Sequence, residues 1–428
     1  MANQAGTFGQ LMDRWAARRR GPVVAARSVS ALLFCALFGA GWAAAPVSAA
    51  KNVRQPHGGM AKPDPDVLLI AIYQDMADNH LREAQAKADA LVAAYPNFHL
   101  GQLVRGDLLL MHAQPITALG AGAGSAAPDK LKDLRQEAMV RLKSLTWRPS
   151  PTMTPRSVLQ LRDDQKYVLV VDTRSSRLYV YQNIAGHLKL ATDYYVAQGK
   201  LGINKLKEGD QKTPIGVYYI TGRVTGAKLP DFYGAAALHL NYPNEWDRIN
   251  GRSGGGIWLH GTPPTTFSRP PMASDGCVIL TNADLAKLEN SIDIGKTPVV
   301  ISDQAEFVNQ ATWDAERNGA TRLLENWRHD IESEDLTRVL KNYSGKFRSG
   351  LGEDLTTWFE KNKAGMSIAH VSVKLRDMTL FRYPGRQDVI VGTFTQETSF
   401  GRVRNSVRKR QYWTREGNQW KIIFEGNV

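Results

Sequence analysis

The sequence contains very little cysteine: among 428 residues there are two, Cys35 and Cys277. Cys35 lies in an N-terminal apolar run that we expect to be removed with a targeting segment, which leaves Cys277 as the only thiol of the mature chain. A single cysteine excludes an internal disulfide framework. Patterns of the HExxH and CxxC type are also absent, so we predict neither a metal site nor a cofactor.

A long basic arm is absent as well, although the net charge is +13 and the isoelectric point is about 9.6. Acidic residues are interleaved with Lys and Arg through most of the chain, so we predict no nucleic-acid partner. The positive balance favours anionic surroundings, such as a cell wall or a phospholipid surface. The apolar fraction of 43% and the length of the chain predict two or three globular domains.

The sequence has no comfortable membrane span, because its N-terminal apolar run over residues 31–42 is short. Residues 1–50 have the pattern of a signal peptide or an N-terminal anchor: Arg18, Arg19, Arg20 and Arg27 precede the run, and the small-residue stretch AAAPVSAA follows it. We therefore expect secretion, with an uncleaved inner-membrane anchor as the alternative.

The chain then divides by composition. Residues 51–65 predict a linker, and residues 66–150 predict a helical region that resembles one tetratricopeptide-like (TPR-like) hairpin. One such unit cannot bury its own apolar face, so it must pack on the rest of the chain or on a second copy. A proline-rich stretch marks a domain boundary near residues 147–160.

Beyond that boundary the apolar pattern becomes alternating. Residues 167–172, 177–182 and 188–197 predict a meander, and residues 160–303 together predict a mostly β domain with short helices. Residues 305–428 predict helices over 306–346 and 354–364 and then four strands, which is typical of a small α+β domain. The predicted fold is therefore multidomain.

Residues 257–280 hold the candidate chemistry. His260 closes a predicted strand, and Cys277 follows Gly276 at the end of a loop. A thiol nucleophile needs a base within hydrogen-bond reach, a group that orients this base, and N–H donors for the oxyanion. Gly276 permits a tight turn that would bring the N–H groups of Gly276 and Cys277 near a carbonyl substrate. A buried, inert cysteine is the alternative, and the spacing alone does not decide between them.

The same stretch resembles a known family. His260-Gly261 and Ser274-Asp275-Gly276-Cys277 match the signature of the L,D-transpeptidase (YkuD) catalytic domain, and the flanking VVDTRSSRLYVY, KTPIGVYYI and IWLHG segments match too. The resemblance covers residues 165–302. It implies a largely β fold, a periplasmic location, and acyl transfer at the L,D-amide bond of peptidoglycan stem peptides through a thioacyl-enzyme.

The resemblance also implies roles for individual residues. Cys277 would be the nucleophile and His260 the general base, with the main-chain carbonyl of Gly261 orienting the imidazole. Ser274, Gly276 and Cys277 would belong to the oxyanion turn. Many members carry a second histidine where this chain has Asp275, so His260 must act alone here. Asp275 would bond loop N–H groups or a substrate amine, or cap the turn.

Substrate contacts follow from the residue types near the motif. Arg269, in the loop before Cys277, could pair with a stem-peptide carboxylate, although a solvated loop arginine is the alternative. The aromatic residues Tyr233, Trp246 and Trp258 could line the cleft or belong to the core.

The C-terminal part, residues 305–428, resembles the nuclear-transport-factor-2-like (NTF2-like) cone found behind this catalytic domain in a cell-shape-determining L,D-carboxypeptidase. The segments WRHDIESEDLTRVLKNYSGKF and QWKIIFEG carry this resemblance. We predict a binding or dimer-forming role for the cone. Its basic cluster would contact anionic wall polymer or form a solvated strand edge; its members are Arg402, Arg404, Arg408, Lys409 and Arg410.

The sequence therefore predicts a secreted, cysteine-dependent L,D-transpeptidase that acts on peptidoglycan stem peptides. An L,D-carboxypeptidase or amidase that uses the same site is one alternative. A non-catalytic wall-binding scaffold is another. The acceptor stays open between water, a stem-peptide amine and an envelope protein, and a homodimer is left open too.

Overall fold

The structure is a computed structural model that describes residues 63–124, 127–146, 148–366, 370–385 and 387–428. The predicted targeting segment and most of the predicted linker lie outside these residues. Within them, no helix is both long and apolar enough to cross a membrane. The chain divides into two compact units, one ending at Ala94 and the other beginning at Tyr95.

The elements are numbered in chain order. The helices are α1 (Pro65–Ala77), α2 (Leu81–Ala94), α3 (His99–Met111), α4 (Pro128–Thr146), α5 (Glu245–Ile249), α6 (Asn282–Leu288), α7 (Gln310–Glu332), α8 (Leu336–Lys341) and α9 (Leu355–Met366). The first strands are β1 (Thr154–Pro155), β2 (Val158–Gln160), β3 (Tyr167–Asp172), β4 (Arg177–Ile184), β5 (His187–Tyr195), β6 (Gln198–Gly199), β7 (Gly216–Thr225), β8 (Ala236–Leu240) and β9 (Trp258–His260). The remaining strands are β10 (Met272–Ser274), β11 (Val278–Ile279), β12 (Pro298–Ser302), β13 (Phe307–Val308), β14 (Tyr343–Ser349), β15 (Ser372–Arg382), β16 (Val389–Phe400), β17 (Val403–Glu416) and β18 (Gln419–Asn427).

The helical region differs from the single predicted hairpin. Helix α1 begins inside the predicted linker, because the Asp64 side chain accepts hydrogen bonds from the next main-chain N–H groups and Pro65 occupies the first turn. In helix α2, Ala84, Ala88 and Leu91 are buried at helical spacing, as the pattern predicts. Helices α3 and α4 belong to the second unit, so the break at residues 95–97 separates two units rather than two turns of one hairpin.

The middle domain is built on an eight-stranded sheet with the order β11-β9-β8-β7-β12-β3-β4-β5. The predicted meander is confirmed, because β3, β4 and β5 pair antiparallel. Strand β12 runs parallel to β3, and β11 runs parallel to β9 at the sheet edge. This edge carries the residues that the sequence singles out.

The C-terminal domain contains a six-stranded sheet with the order β14-β18-β17-β16-β15-β2. The four predicted strands are present, and two further strands correct the prediction. Strand β14 replaces the end of a predicted helix, since Tyr343 and Phe347 are buried on the sheet. Strand β2 lies in the predicted boundary segment, where Val158 pairs with Phe381 and Gln160 with Leu380. A long-range partner makes this segment a strand.

The two sheets of the second unit share an apolar core. Val168, Val170 and Tyr179 from the middle domain pack in one buried cluster with Phe381 and Tyr412 from the C-terminal sheet. A second cluster covers the opposite face of the eight-stranded sheet, and a third joins the six-stranded sheet to helix α7. The result is a layered body in which both domains depend on the central layer.

Helix α5 lies at this junction. Trp246 is buried there and stacks on Tyr412 with ring centroids 5.5 Å apart, so of the two alternatives, cleft or core, it belongs to the core. Next to it, the guanidinium of Arg410 donates to both carboxylate oxygens of Glu245 at 2.9 and 3.0 Å. Lys409 pairs with Glu425 at 2.6 Å within the C-terminal sheet, whereas Arg410 joins that sheet to the middle domain.

We expect Glu245→Gln to lower the free energy of unfolding by about 2 to 4 kcal/mol, because it leaves the buried guanidinium of Arg410 without a countercharge. A matched control is Glu397→Gln, whose partner Arg376 is 57% exposed. That change should cost under about 1 kcal/mol. Urea unfolding of both variants is the measurement, and equal losses would contradict a structural role for the buried pair.

Candidate active site

His260 ends strand β9, and Cys277 directly precedes β11, the neighbouring strand at the edge of the eight-stranded sheet. Strands β9 and β11 run parallel, with Leu259 opposite Val278 and His260 opposite Ile279. Residues paired in register on parallel strands point to the same face, and side chains alternate along each strand. Cys277, two residues before Ile279, therefore shares the face of His260. The strand pairing brings the imidazole and the thiol to one edge of the sheet, which the spacing in the sequence alone could not establish.

The imidazole of His260 is buried and oriented by main-chain carbonyls. Its Nδ1 lies 2.8 Å from the carbonyl oxygen of Gly261. Because a carbonyl only accepts, this contact places the proton on Nδ1 and leaves Nε2 as the basic nitrogen. Burial lowers the pKa of His260 to about 4, although the carbonyls of Gly261 and Tyr233 act in the opposite direction. The base is therefore neutral at physiological pH and available to accept a proton.

The thiol of Cys277 is neutral as well. Burial raises its pKa to about 11, and Asp275 adds to this, whereas the main-chain N–H of Trp258 and the ammonium group of Lys205 lower it. The sulfur lies 3.3 Å from the carbonyl oxygen of Gly256. Among the described residues it makes no hydrogen bond to the imidazole. The resting site is thus a neutral thiol beside a neutral base, not a preformed ion pair.

The turn before Cys277 is locked by Ser274. The hydroxyl of Ser274 donates to the carbonyl of Cys277 at 2.6 Å and accepts from the N–H of Gly276 at 3.0 Å. The N–H of Gly276 is therefore engaged within the turn. This corrects the expectation that it points at a substrate oxygen, and it leaves the N–H of Cys277 as the candidate oxyanion donor.

Glycine at position 276 is required by both conformation and space. Its φ is +129°, and a Cβ there would lie 2.7 Å from the main-chain oxygen of Lys212. Thr213 braces the same turn by donating to the carbonyl of Gly276 at 2.9 Å.

Asn282 is a structural organiser of the site that the sequence did not indicate. Its side-chain oxygen accepts from the N–H groups of Ala235 and Thr262 at 3.1 and 3.2 Å, and its Nδ2 donates to the carbonyl of Thr262 at 2.7 Å. Thr281 caps helix α6, which frees Asn282 for the loop. A Cβ at Gly261 would lie 2.0 Å from the same Asn282 oxygen.

Asp275 has partners outside its own turn. Its carboxylate accepts from Lys200 at 3.1 Å and from Gln211 at 2.9 Å. These contacts join the turn to the loop after β6. Among the described residues Asp275 thus accepts from side-chain N–H groups of the loop and makes no cap of its own turn, and its contact with a substrate amine stays a prediction.

Of the four predicted substrate contacts, Trp246 lies in the core, and the other three lie near His260. Tyr233 lies beside His260, with ring centroids 5.0 Å apart, and also contacts Trp258 at 4.8 Å. Trp258 stacks on His239 at 4.4 Å. Arg269 lies over the ring of Phe232 at 4.4 Å, and its positive charge contributes to the lowered pKa of His260. All three candidates are therefore in the neighbourhood of the base. Within the described part of the chain, no cluster of three or more His, Cys, Asp or Glu side chains could hold a metal ion.

Comparison with known proteins agrees with this geometry. The family model of the L,D-transpeptidase catalytic domain (YkuD) matches residues 166–301, and the model of the Cds6 C-terminal NTF2-like domain matches residues 320–426. Comparison with curated protein sequences gives no match.

Two solved structures share both domains. Bd1075 of Bdellovibrio bacteriovorus is 28% identical, covers 64% of this chain over 98% of its own, and superposes with a TM-score of 0.56. The helical cell shape determining protein Pgp2 of Campylobacter jejuni is 22% identical, with 63% and 95% of the two chains covered and a TM-score of 0.55.

The middle domain is an L,D-transpeptidase catalytic domain of the YkuD family, and the C-terminal domain is NTF2-like. The chain thus contains a catalytic domain of a family that acts on peptidoglycan stem peptides, and its fold is similar to that of the cell-shape protein Pgp2. The family resemblance noted in the sequence is confirmed.

The raised pKa of Cys277 predicts slow labelling by iodoacetamide at neutral pH. The rate should rise about tenfold per pH unit up to about pH 10, since the thiolate fraction grows at that rate below the pKa. The rate constant is measured across pH for the wild type and for His260→Gln. Because burial is the main cause of the shift, both proteins should follow the same slope. A plateau near neutral pH that His260→Gln abolishes would instead indicate a thiolate–imidazolium pair.

Gly276→Ala should misplace the nucleophile and lower the free energy of unfolding by about 1 to 3 kcal/mol, because the new Cβ would meet a main-chain oxygen at a strained φ. Gly345→Ala is the control, since a Cβ there meets no heavy atom within 4 Å. Thermal unfolding and labelling of Cys277 report both effects. An unchanged Gly276→Ala protein would show that the turn relaxes freely.

Proposed function

We propose that this protein is a periplasmic cysteine enzyme that trims peptidoglycan stem peptides by cleaving an L,D-amide bond through a thioacyl intermediate. The observation that carries the proposal is that His260 ends β9 and Cys277 directly precedes β11, the strand paired with β9, in a YkuD domain. The Nδ1 of His260 contacts the carbonyl of Gly261, and this contact orients Nε2, the nitrogen that would accept the proton.

The first half of the reaction forms the thioester. As the sulfur of Cys277 attacks the amide carbonyl, Nε2 of His260 accepts the thiol proton, so no free thiolate is needed. The carbonyls of Gly261 and Tyr233 stabilise the imidazolium that results. The C–N bond then breaks, and the imidazolium returns the proton to the leaving amine, which departs as a D-amino acid.

The second half consumes the thioester. An acceptor attacks the acyl carbon while His260 takes its proton, and the C–S bond breaks to restore the thiol. Water as acceptor yields a shortened stem peptide. An amine as acceptor yields a cross-link or a protein attachment.

We favour water as the acceptor because of the two-domain layout. Bd1075 and Pgp2 match this chain over nearly their whole length, and Pgp2 is described as determining helical cell shape. Trimming of stem peptides removes donors for later cross-linking, which is a chemical route to a change of shape. A transpeptidase of the same site remains the second candidate, favoured by the catalytic domain model itself.

We expect the purified protein to convert a defined tetrapeptide muropeptide into tripeptide and free D-alanine without forming dimers. Cys277→Ala should abolish turnover, and His260→Gln should lower kcat by about 10²- to 10⁴-fold, as for the loss of a general base. Glu397→Gln, an exposed change in the other domain, is the activity control. Product analysis by liquid chromatography and mass spectrometry decides the acceptor.

The outcomes separate the candidate functions. Cross-linked dimers would replace the hydrolytic proposal with transfer. A wild-type protein that neither turns over muropeptides nor labels at Cys277, and whose Cys277→Ala variant keeps its full effect on cells, would be a wall-binding scaffold.

A further inference from the structure

The loop between β9 and β10 joins His260 to the turn of Cys277, and helices α3 and α4 hold it from outside the catalytic domain. Its own hydrogen bonds are few: the hydroxyl of Thr262 donates to the carbonyls of Thr266 and Phe267 at 2.6 and 3.3 Å. Asn282 and Tyr195 of the catalytic domain bond the loop near its two ends, and the helical segment holds its middle.

The first contact is an aromatic socket at the start of helix α3. The ring of Phe267 lies 4.8 Å from the ring of Tyr95 and 4.8 Å from that of Phe98. Two hydrogen bonds accompany it: the N–H of Phe267 donates to the carbonyl of Asn97 at 3.1 Å, and the side chain of Asn97 donates to the carbonyl of Pro264 at 3.1 Å. The loop is therefore bound through both its side chain and its backbone.

The second contact comes from a buried ion pair on helix α4. The hydroxyl of Ser268 donates to the carboxylate of Glu137 at 2.7 Å, and Glu137 pairs with Arg141, with both charged side chains 2% exposed. The guanidinium of Arg141 lies 3.8 Å from the ring of Tyr195, whose hydroxyl donates to the carbonyl of Arg269 at 2.8 Å. Helix α4 thus contacts the side chain of Ser268 directly and the carbonyl of Arg269 through Tyr195 of strand β5.

These contacts of the loop determine the position of Arg269. Its guanidinium lies over the ring of Phe232, which neighbours the ring of His260 at 6.2 Å. Among the described residues no carboxylate lies within ion-pair distance of it, and its one hydrogen bond, to the carbonyl of Ala273, is 3.5 Å long. A half-buried cation without a carboxylate partner is well suited to a substrate anion.

The chemistry of the leaving group identifies the substrate anion that suits Arg269. His260 must deliver a proton to the amine of the departing D-amino acid, and the carboxylate of that amino acid is one carbon away from the amine. A cation beside the base is therefore close to the position of a free terminal carboxylate. A stem peptide that continues beyond this residue, or ends in an amide, offers no such charge.

We propose that helices α3 and α4 position Arg269 through Phe267 and Ser268, and that Arg269 selects stem peptides that end in a free carboxylate. Phe267, Ser268 and Glu137 are positioning residues, and the helical segment is part of the active-site architecture. The inference rests on the proposed function for its substrate class.

The test compares two tetrapeptide muropeptides that differ only in a terminal carboxylate or carboxamide. The wild type should prefer the carboxylate in kcat/KM by on the order of 10- to 100-fold, mainly through KM, which is the worth of a hydrogen-bonded charge. Arg269→Gln should reduce the ratio to near one. Ser268→Ala and Phe267→Ala should reduce it partly, while Thr265→Ala, an exposed change in the same loop, should keep it.

A second readout excludes a merely structural effect. Because the positive charge of Arg269 lowers the pKa of His260, Arg269→Gln should shift the acidic limb of the kcat/KM profile to higher pH. Thermal unfolding verifies that each variant is folded.

Failure of the inference is distinguishable from failure of the proposed function. No turnover of either peptide by the wild type would reject the function. Equal turnover of both peptides would retain the function and overturn the carboxylate selection. Loss of the preference in Arg269→Gln, with full preference in Ser268→Ala and Phe267→Ala, would overturn the positioning role of the helices.

Discussion

The apolar layer between the two sheets of the second unit is the constraint on which the rest of that unit depends. Side chains from β3 and β4 pack against side chains from β15 and β17, so neither sheet has a complete core alone. This layer holds the eight-stranded sheet rigid from behind, and the sheet edge then presents β9 and β11 in a defined register. The positions of base and nucleophile are thus set by burial far from the reacting atoms, in a molecule whose catalytic groups are themselves uncharged at rest.

The neutral state of the site gives its loops a particular task. A preformed thiolate would be held near its imidazolium by charge, whereas a neutral thiol and imidazole attract each other only weakly. Their relative placement must come from the surrounding backbone. Ser274 and Gly276 shape the turn, Asn282 ties the segment after His260 to helix α6, and helices α3 and α4 hold the intervening loop. Contacts of the surrounding backbone therefore hold His260 and Cys277 in place, whereas an ion pair would be held by the attraction of its charges.

The candidate site could be located from the sequence because its residues lie in short motifs whose chemistry is local. A strand end at His260, a tight turn at Gly276 and the thiol of Cys277 can all be recognised within one short stretch of sequence. The meander was predictable for the same reason, since alternation is a property of each strand. Strand β2 was missed because its partner β15 lies far along the chain, and the engagement of the Gly276 N–H was missed because it depends on the rotamer of Ser274. The sequence left Trp246 open between cleft and core because an aromatic residue has the same sequence pattern in both places.

Strand β2 also changes how the molecule must assemble. It precedes the catalytic domain in the chain but completes the sheet of the domain that follows, so the catalytic domain is an insertion within its neighbour. Val158 and Leu161 belong to the layer between the sheets, and Leu159 belongs to the core beneath helix α7. These apolar side chains are synthesised early, and strand β15, with which β2 pairs, is synthesised only after the whole catalytic domain. Completion of the C-terminal sheet is therefore a late, long-range closure, and a fragment that ended with the catalytic domain would carry an unpaired apolar strand at its beginning.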